Sequence, residues 1–407
     1  MSVAQKNTKI LQNTAYTMGG ALLMNGVLQV LVYPLLNRHM GSSELGNLLF
    51  IMGILAIVCP SIGQALNTSR LVVRRDYDVT NGDYDILLIF YSIAGSAAAF
   101  VIGWNYARGL VSVLLTFALL FLMVFRYYGD VEYRLNLNYR RYFIYYAVLT
   151  AGYILGFGLY FLTGVWFLIF MTGEAACLIY LALTGSLFKN FFARSEWFDV
   201  AMRRGSFLIL SYVVTNLTLN IDRLALRFLI DDLAVTQYYV VSLIGKTMLL
   251  VVAPVNTIMI SYLTKRKERM KKGEYLKLVG AGFAVAAVFF AAAEIATPIF
   301  LRLFYFNLYE GVKGIIHIVN LSQILGLLSA YLFIIVLTFT EEKWQMILQI
   351  LHLAVICALI LIMTHGSIRG FSLAVLIANA ARVIIVTLFG LVRVGKAKDA
   401  SRLKEDY

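Results

Sequence analysis

Twelve long apolar runs, separated by short segments that carry most of the charges, are the feature that most constrains the fold of this chain. An α-helix needs about 20 apolar residues to cross the hydrocarbon core of a bilayer. Each run is long enough, so the pattern predicts twelve transmembrane helices. They lie near residues 13–36, 45–68, 86–104, 110–128, 142–162, 164–188, 206–229, 234–262, 278–300, 315–339, 344–364 and 370–391.

The composition agrees with a chain that lies mostly inside a membrane. Of its 407 residues, 61% are hydrophobic and 14% are charged. A soluble globular protein carries about 45–50% apolar and about 25% charged residues. The predicted fold class is therefore an all-α integral membrane protein, with no room for a separate catalytic domain. The first apolar run is followed by no small-residue cleavage site, so we expect it to be retained as a helix.

The net charge of +13 reflects topology in this interpretation. With the N-terminus placed in the cytoplasm, 26 of the 35 Lys and Arg residues fall on the inner side and 7 on the outer side. This bias alternates from loop to loop, as the positive-inside rule requires. Both termini are therefore predicted to be cytoplasmic, and the positive charge gives no reason to expect a nucleic-acid partner.

The connection at residues 189–204 divides the chain into six spans and six spans. We predict an N-terminal lobe at 1–195 and a C-terminal lobe at 196–407 that ends in a cytoplasmic tail. Transporters are often built from such repeats, with the substrate bound where the repeats meet. An offset of 191 residues superimposes two polar pairs, for which we predict a role in substrate binding: Asn25 and Gln29 in the first span, Asn216 and Asn220 in the seventh.

Two cations lie near the middle of predicted spans, Lys246 in the eighth and Arg382 in the twelfth. A charge at the bilayer centre costs about 2.5–3.5 kcal/mol on insertion scales, so each suggests a function. Facing a hydrated cavity, they would suit a phosphate-bearing headgroup. The alternative is that each pairs with a buried acid or reaches an interface. Although Gly245-Lys246-Thr247 resembles the end of a P-loop, Val240 occupies a position that needs glycine, so no nucleotide site is predicted.

Three acids also lie within predicted spans, and they are the candidates for coupling to an ion. Glu174 and Glu294 have no cation nearby in the sequence, so each is either held protonated or takes part in proton coupling. Asp222 is followed by Arg223 and Arg227, which favours an ion pair over a coupling role.

Other polar and small residues within the spans have two open interpretations each. Gln349 and His352 lie on one face of the eleventh span, where they either bind sugar hydroxyls in a cavity or join helices by hydrogen bonds. Gly152 and Gly156 form a GxxxG pair, which is typical of close helix packing. The three cysteines lie in apolar runs and predict no disulfide framework, and no residue cluster has metal-site spacing. No cofactor is expected.

Several of these features resemble the Wzx-type polysaccharide flippases of the multidrug/oligosaccharidyl-lipid/polysaccharide exporter superfamily. The resemblance rests on Asn220-Ile221-Asp222-Arg223, on Tyr238-Tyr239, on the Gly366…Gly370 turn, and on an opening segment with Lys9, Pro34, Arg38, Gly41 and Gly46. It implies twelve helices in two six-helix lobes around a central cavity. It also implies export of undecaprenyl-diphosphate-linked oligosaccharide across the bacterial inner membrane, for O-antigen or capsule synthesis. Membrane lipids, a polysaccharide polymerase and a chain-length regulator are the partners that this likeness suggests.

Three functions remain open at this level. A flippase of lipid-linked oligosaccharide is the leading hypothesis, because the central charges without a local partner include cations. A cation-coupled multidrug exporter of the same superfamily is the alternative, although the first span offers Asn25 and Gln29 in place of a carboxylate. A membrane polysaccharide polymerase ranks last, since no predicted outer loop is long enough to carry an active site.

Overall fold

The computed structural model describes residues 3–104, 109–265, 270–340 and 343–394, with the side chains of 12–104, 109–248, 270–340, 344 and 346–394. Arg108, residues 266–269 and the predicted cytoplasmic tail beyond residue 394 lie outside the described residues. The described chain contains the helices α1 (Val3–Gly26), α2 (Tyr33–Met40), α3 (Ser42–Val73), α4 (Asn81–Gly103), α5 (Leu110–Gly129), α6 (Val131–Leu135), α7 (Tyr139–Thr163), α8 (Phe167–Thr184), α9 (Phe198–Leu229), α10 (Asp232–Lys265), α11 (Lys272–Phe304), α12 (Phe306–Val312), α13 (Ile316–Leu337), α14 (Lys343–Met363) and α15 (Ile368–Arg393).

All twelve predicted spans correspond to helices of the described chain, and these residues contain no β-strand. Ten of the spans meet the length and hydropathy expected of a membrane crossing. The remaining two predicted spans are α9 and α10, which are 32 and 34 residues long. The all-α membrane fold is confirmed. The prediction at 164–188 is too long, because α8 covers only Phe167–Thr184 and the chain is extended at Gly185.

The first span is interrupted by a wider helical turn. Residues Val27–Val32 form a π-helix between α1 and α2, directly before Pro34. Proline has no backbone N–H and its ring crowds the preceding turn, so the regular α-helical hydrogen bonds cannot continue through it. Short π segments of this kind are frequent at functional sites. Gly41, at φ +86°, ends α2 in a conformation that favours glycine.

Residues 1–224 form one compact unit and residues 225–407 form a second. In the first unit the most buried element is α3, whose core includes Leu48, Leu55 and Leu66, each fully buried. The helices α7 and α8 pack closely through glycine. A Cβ on Gly156 would lie 2.7 Å from Cα of Ile169, and one on Gly152 would lie 2.5 Å from Cα of Gly173. The close contact inferred from the GxxxG pair is therefore present.

The second unit is built around α11, α13 and α15, with Tyr275 fully buried among them. Its hydroxyl donates to the carbonyl oxygens of Val386 and Thr387 at 3.4 and 3.2 Å. Such a tyrosine fills a large volume and also satisfies its polar end, which stabilises one packing arrangement of these helices.

The lobe boundary at residue 195 stays a prediction. The contacts within the structure divide the chain at a different place, after Leu224. Much of α9 packs on the first unit: Asn216 donates to Ser61 Oγ at 3.0 Å, and the hydroxyls of Tyr212 and Thr68 are 3.1 Å apart. These contacts explain why the first compact unit extends through Leu224.

The connection between α8 and α9 is held against the start of α4. Asp83 accepts hydrogen bonds from the N–H and Oγ of Ser195 at 2.8 and 2.7 Å. Thr80 donates to the carbonyl oxygen of Ala193 at 2.6 Å, and Asn81 donates to that of Ser186 at 2.8 Å. The connection is thus fixed at several points on one helix end.

Candidate functional site

A buried ion pair joins α5 and α8 in the first unit. Nε of Arg126 lies 2.9 Å from Oε2 of Glu174, and Nη2 lies 3.2 Å from Oε1. Tyr153 on α7 donates to the same Oε1 at 2.9 Å. The side chains of Arg126 and Glu174 are 3% and 0% exposed, and the guanidinium lies 3.6 Å from the ring centroid of Tyr127. Both charges are therefore compensated, as burial at this depth requires.

Glu174 has no cation nearby in the sequence, but the fold brings one to it. Its partner is 48 residues earlier in the sequence, on a different helix. Arg126 lies near the end of the predicted span at 110–128, and the structure buries it within α5. A coupling role for Glu174 stays a prediction, and it would require this ion pair to break.

A second polar cluster surrounds Asp130, which lies at the C-terminal end of α5, one turn after Arg126. The carboxylate of Asp130 accepts from Asn67 Nδ2 at 2.6 Å and from the Tyr146 hydroxyl at 3.0 Å. Nη1 of Arg134 lies 3.9 Å from Asp130 and donates to Asn67 Oδ1 at 2.9 Å. Asp130 and Asn67 are buried, so the hydrogen bonds supply what water would otherwise provide.

The two predicted amide pairs have different surroundings. Asn25 donates to the carbonyl oxygen of Ala21, four residues back in its own helix, at 2.9 Å, and Gln29 lies in the π segment. Asn216 uses its amide to contact Ser61, as described above, and Asn220 donates to the carbonyl oxygen of Asn216 at 3.0 Å. All four side chains are partly buried. Their role in substrate binding stays a prediction.

In the second unit, Arg382 on α15 and His352 on α14 line the same small cavity. His352 is 5% exposed, and its Nδ1 has no hydrogen-bond partner among the described residues. Arg382 lies 5.7 Å from the ring centroid of Phe333 and forms no ion pair within the described part of the chain. The two predicted binding residues therefore lie together.

That cavity is too small for a phosphorylated headgroup. Its volume is about 10 Å³, which holds about one water molecule. Leu348, Val355 and Ala378 are among its apolar lining residues. A larger ligand could reach Arg382 and His352 only if α14 and α15 moved apart. Of the other predicted binding residues here, Lys246 on α10 and Gln349 on α14 are both partly buried, and their roles stay predictions.

Glu294 belongs to a polar group between α11 and α13. Oε1 accepts from Asn320 Nδ2 at 2.8 Å, Oε2 contacts Nδ1 of His317, and Thr297 donates to Asn320 Oδ1 at 3.0 Å. Glu294 is thus held by partners that are distant in sequence. A coupling role for it stays a prediction.

Asp222, the remaining coupling candidate, accepts from the backbone N–H of Arg223 at 2.9 Å. The second basic neighbour, Arg227, has its Nε 2.5 Å from a carboxylate oxygen of Asp232. Asp222 is 8% exposed, and its role too stays a prediction. Among the described residues, no three or more His, Cys, Asp or Glu side chains are arranged to hold a metal ion.

Sequence reasoning missed several buried polar residues near the ends of helices. Arg70, Asp85, Arg126 and Asp130 are not among the predicted site residues, yet each is less than 9% exposed. They lie away from the centres of the apolar runs, where a charge is not by itself a sign of function. Two of them carried a signal: Asp85 directly precedes the third predicted span, and Arg126 lies within the fourth.

Comparison with known proteins shows the fold. No family model and no curated protein matches the sequence. The structure is similar to an inward-facing multidrug resistance MATE family transporter of the MOP superfamily, with a TM-score of 0.65, 16% identity, and 97% and 96% of the two chains covered. The outward-facing form of a multidrug resistance MATE family transporter gives a TM-score of 0.62 at 16% identity, with 96% of each chain covered.

A MATE structure in complex with MaD5 gives a TM-score of 0.64 at 17% identity, covering 98% of this chain and 96% of the other. The likeness extends over nearly all of both chains in each case. The protein therefore has a two-lobe, all-α fold like that of MATE transporters, and the predicted fold class is confirmed. At these identities the comparison establishes the fold alone.

Proposed function

We propose that the protein is a secondary transporter that exports amphipathic organic solutes, as a multidrug exporter does. The observation that carries this proposal is the similarity of nearly the whole chain to multidrug MATE transporters in both inward- and outward-facing forms. A fold that accommodates both states in relatives suits alternating access, in which a binding site opens to one side of the membrane at a time.

The test is transport by the purified protein. Proteoliposomes containing the full chain are loaded with DNA to report ethidium by fluorescence, and a pH or sodium gradient is imposed in separate arms. We expect gradient-driven ethidium movement that stops when an ionophore collapses the gradient. Protein-free liposomes are the control. If neither gradient moves ethidium or any compound of a drug panel, the multidrug proposal fails.

A flippase for lipid-linked oligosaccharide is the second candidate, and Arg382 is the observation that favours it. Arg382 lies within α15 without an ion pair to any described residue, and it shares its cavity with His352. A guanidinium suits a diphosphate, since it can donate two parallel hydrogen bonds to phosphate oxygens. Moving an anion outward is also favourable by about 2.3 kcal/mol per charge per 100 mV when the inside is negative.

The two candidates predict different phenotypes in a bacterial host. If the protein is a flippase, it should restore surface polysaccharide in a strain that lacks its own flippase. The variant Arg382→Gln should abolish this rescue. Arg369→Gln is the matched control, because Arg369 lies on the same helix and is exposed. The drug exporter would leave polysaccharide unchanged and raise drug resistance. Polysaccharide rescue by both variants would exclude Arg382 from headgroup recognition.

A further inference from the structure

Asp85 is a buried carboxyl group with no hydrogen-bond partner in the described part of the chain. It lies in the second turn of α4 and is 0% exposed. Neither of its carboxylate oxygens has a partner among the described residues. Glu174, Asp130 and Glu294 differ from it, since each accepts at least two hydrogen bonds. An ionised carboxylate buried in this way is costly, whereas the neutral acid is not.

Arg70 on α3 is a cation that interacts electrostatically with Asp85. Arg70 is 3% exposed and donates to the Tyr128 hydroxyl at 2.7 Å. It also contacts Asn81 Oδ1, and its guanidinium lies 5.8 and 5.9 Å from the ring centroids of Tyr84 and Tyr128. Its Nε has no partner in the part of the chain described. Arg70 is therefore accommodated mainly by neutral groups.

This arrangement supports Asp85 in two charge states. With a proton on Asp85, Arg70 keeps its two neutral acceptors and both aromatic faces. Without the proton, the negative charge lies near Arg70, whose Nε is still available. The neighbouring carboxylate of Asp83 does not compete, because it is engaged by Thr80 and Ser195. Tyr128, on α5, is the titratable group that faces this pair from the other packed helix.

Arg70 also connects this buried region to an open cleft. The cleft has a volume of about 340 Å³, and its polar lining includes Arg70, Arg74, Asn81, Ser186 and Asn190. That volume is far more than the roughly 10–15 Å³ that one water molecule needs. The positive-inside pattern places this end of α4 at the cytoplasmic side. Water in the cleft can therefore reach the guanidinium whose charge acts on Asp85.

Two more buried hydroxyls follow Asp85 along α4. Ser92 and Ser96 lie 7 and 11 residues further on, so they share the helix face of Asp85 to within about 20°. Neither hydroxyl has a hydrogen-bond partner among the described residues. By contrast, Ser61 and Thr150 each donate to the carbonyl oxygen four residues back in their own helices. Unused polar atoms aligned on one buried face are where ordered water molecules are expected.

We propose that Asp85 is a proton-binding site, which exchanges its proton with water in the cleft past Arg70. In the release step the O–H bond of the Asp85 carboxyl breaks, a cleft water accepts the proton, and the carboxylate remains beside Arg70. The walls of the cleft include Ser186 and Asn190, from the connection between α8 and α9. A change in that connection would therefore change access to Asp85. The use of this proton to drive export rests on the proposed transport function.

The test is the infrared pH-difference spectrum of the purified full chain in lipid nanodiscs. We expect a carbonyl band of a protonated carboxylic acid that disappears as the pH rises and that shifts when aspartate is labelled with ¹³C. Asp85→Asn should remove the band, and Asp78→Asn should keep it, because Asp78 lies exposed at the cleft. Because the label marks every aspartate, the band is assigned to Asp85 by its loss in Asp85→Asn. If Asp85→Asn does not fold, Asp85→Glu makes the assignment, since its acid band should no longer shift with labelled aspartate. A labelled spectrum without such a band, or a band that survives in folded Asp85→Asn, would overturn the proposal.

A transport assay distinguishes proton binding at Asp85 from the use of that proton to drive export. In ethidium-loaded proteoliposomes, we expect Asp85→Asn to keep ethidium exchange at equal pH and to lose the acceleration that a pH gradient gives the wild type. If the infrared band is present but the wild type moves no ethidium, the proton site stands and the proposed export function fails. If export responds to the pH gradient equally in wild type and Asp85→Asn, the site does not drive export.

Discussion

Replacing Glu174 should lower the free energy of unfolding more than replacing Arg126, although either change breaks the ion pair between them. Removing one partner of a buried pair destabilises by about 3–5 kcal/mol, since the other charge is left unpaired. Glu174→Gln leaves a guanidinium that is 3% exposed and cannot lose its proton. We therefore expect this variant to show the full cost. Arg126→Met should cost less, because Glu174 can take up a proton and still accept the hydrogen bond from Tyr153.

The assay is the free energy of unfolding from a denaturant titration of the purified protein in mixed micelles. The double variant should be more stable than the sum of the two single losses predicts, since no unpaired charge remains. Arg194→Met is the control: its pair with Asp199 is exposed at both ends and should contribute less than about 1 kcal/mol. Additive single losses, or a Glu174→Gln loss below about 1 kcal/mol, would refute the structural role of this pair.

Three further outcomes are expected. Gly156→Ala should lower the unfolding free energy by about 1–3 kcal/mol through overpacking, whereas Gly158→Ala on the same helix should not, because nothing lies within 4 Å of its added Cβ. Asp83→Ala should speed trypsin cleavage after Lys189 by freeing the connection, measured by gel against Asp78→Ala; equal rates would contradict the anchoring. A C-terminal fluorescent-protein fusion should be bright and an alkaline phosphatase fusion inactive, as a cytoplasmic terminus requires; the reverse would overturn the predicted topology.

The spans were predictable from the sequence because each helix satisfies its own backbone hydrogen bonds within the membrane. An apolar run of sufficient length is therefore enough to predict a helix such as α3 or α13, without knowledge of its neighbours. The GxxxG contact of Gly152 and Gly156 was predictable for a similar reason, since small residues at this spacing permit close approach wherever another helix packs.

The pairing of polar groups was not predictable, because it depends on which helix faces meet. Arg126 and Glu174 are 48 residues apart, and nothing local in the sequence indicates that they meet. Hydropathy also cannot distinguish a cation that is paired inside the protein from one that reaches the membrane boundary, so the position of Arg126 near the end of the predicted span at 110–128 indicated no partner. Arg382 and His352 were each identified from their position in a span, and only the packing of α14 on α15 shows that they share a cavity.

The hydrogen-bond and ion-pair partners of each buried acid indicate whether it suits a coupling role. Coupling requires a group that gains and loses charge at a modest cost in free energy. Neutralising Glu174 leaves the buried guanidinium of Arg126 without its opposite charge. Protonating Asp85 breaks no hydrogen bond among the described residues, and ionising it places a negative charge near Arg70. The residue with the fewest partners is thus the one that can change its charge without dismantling the helix packing around it.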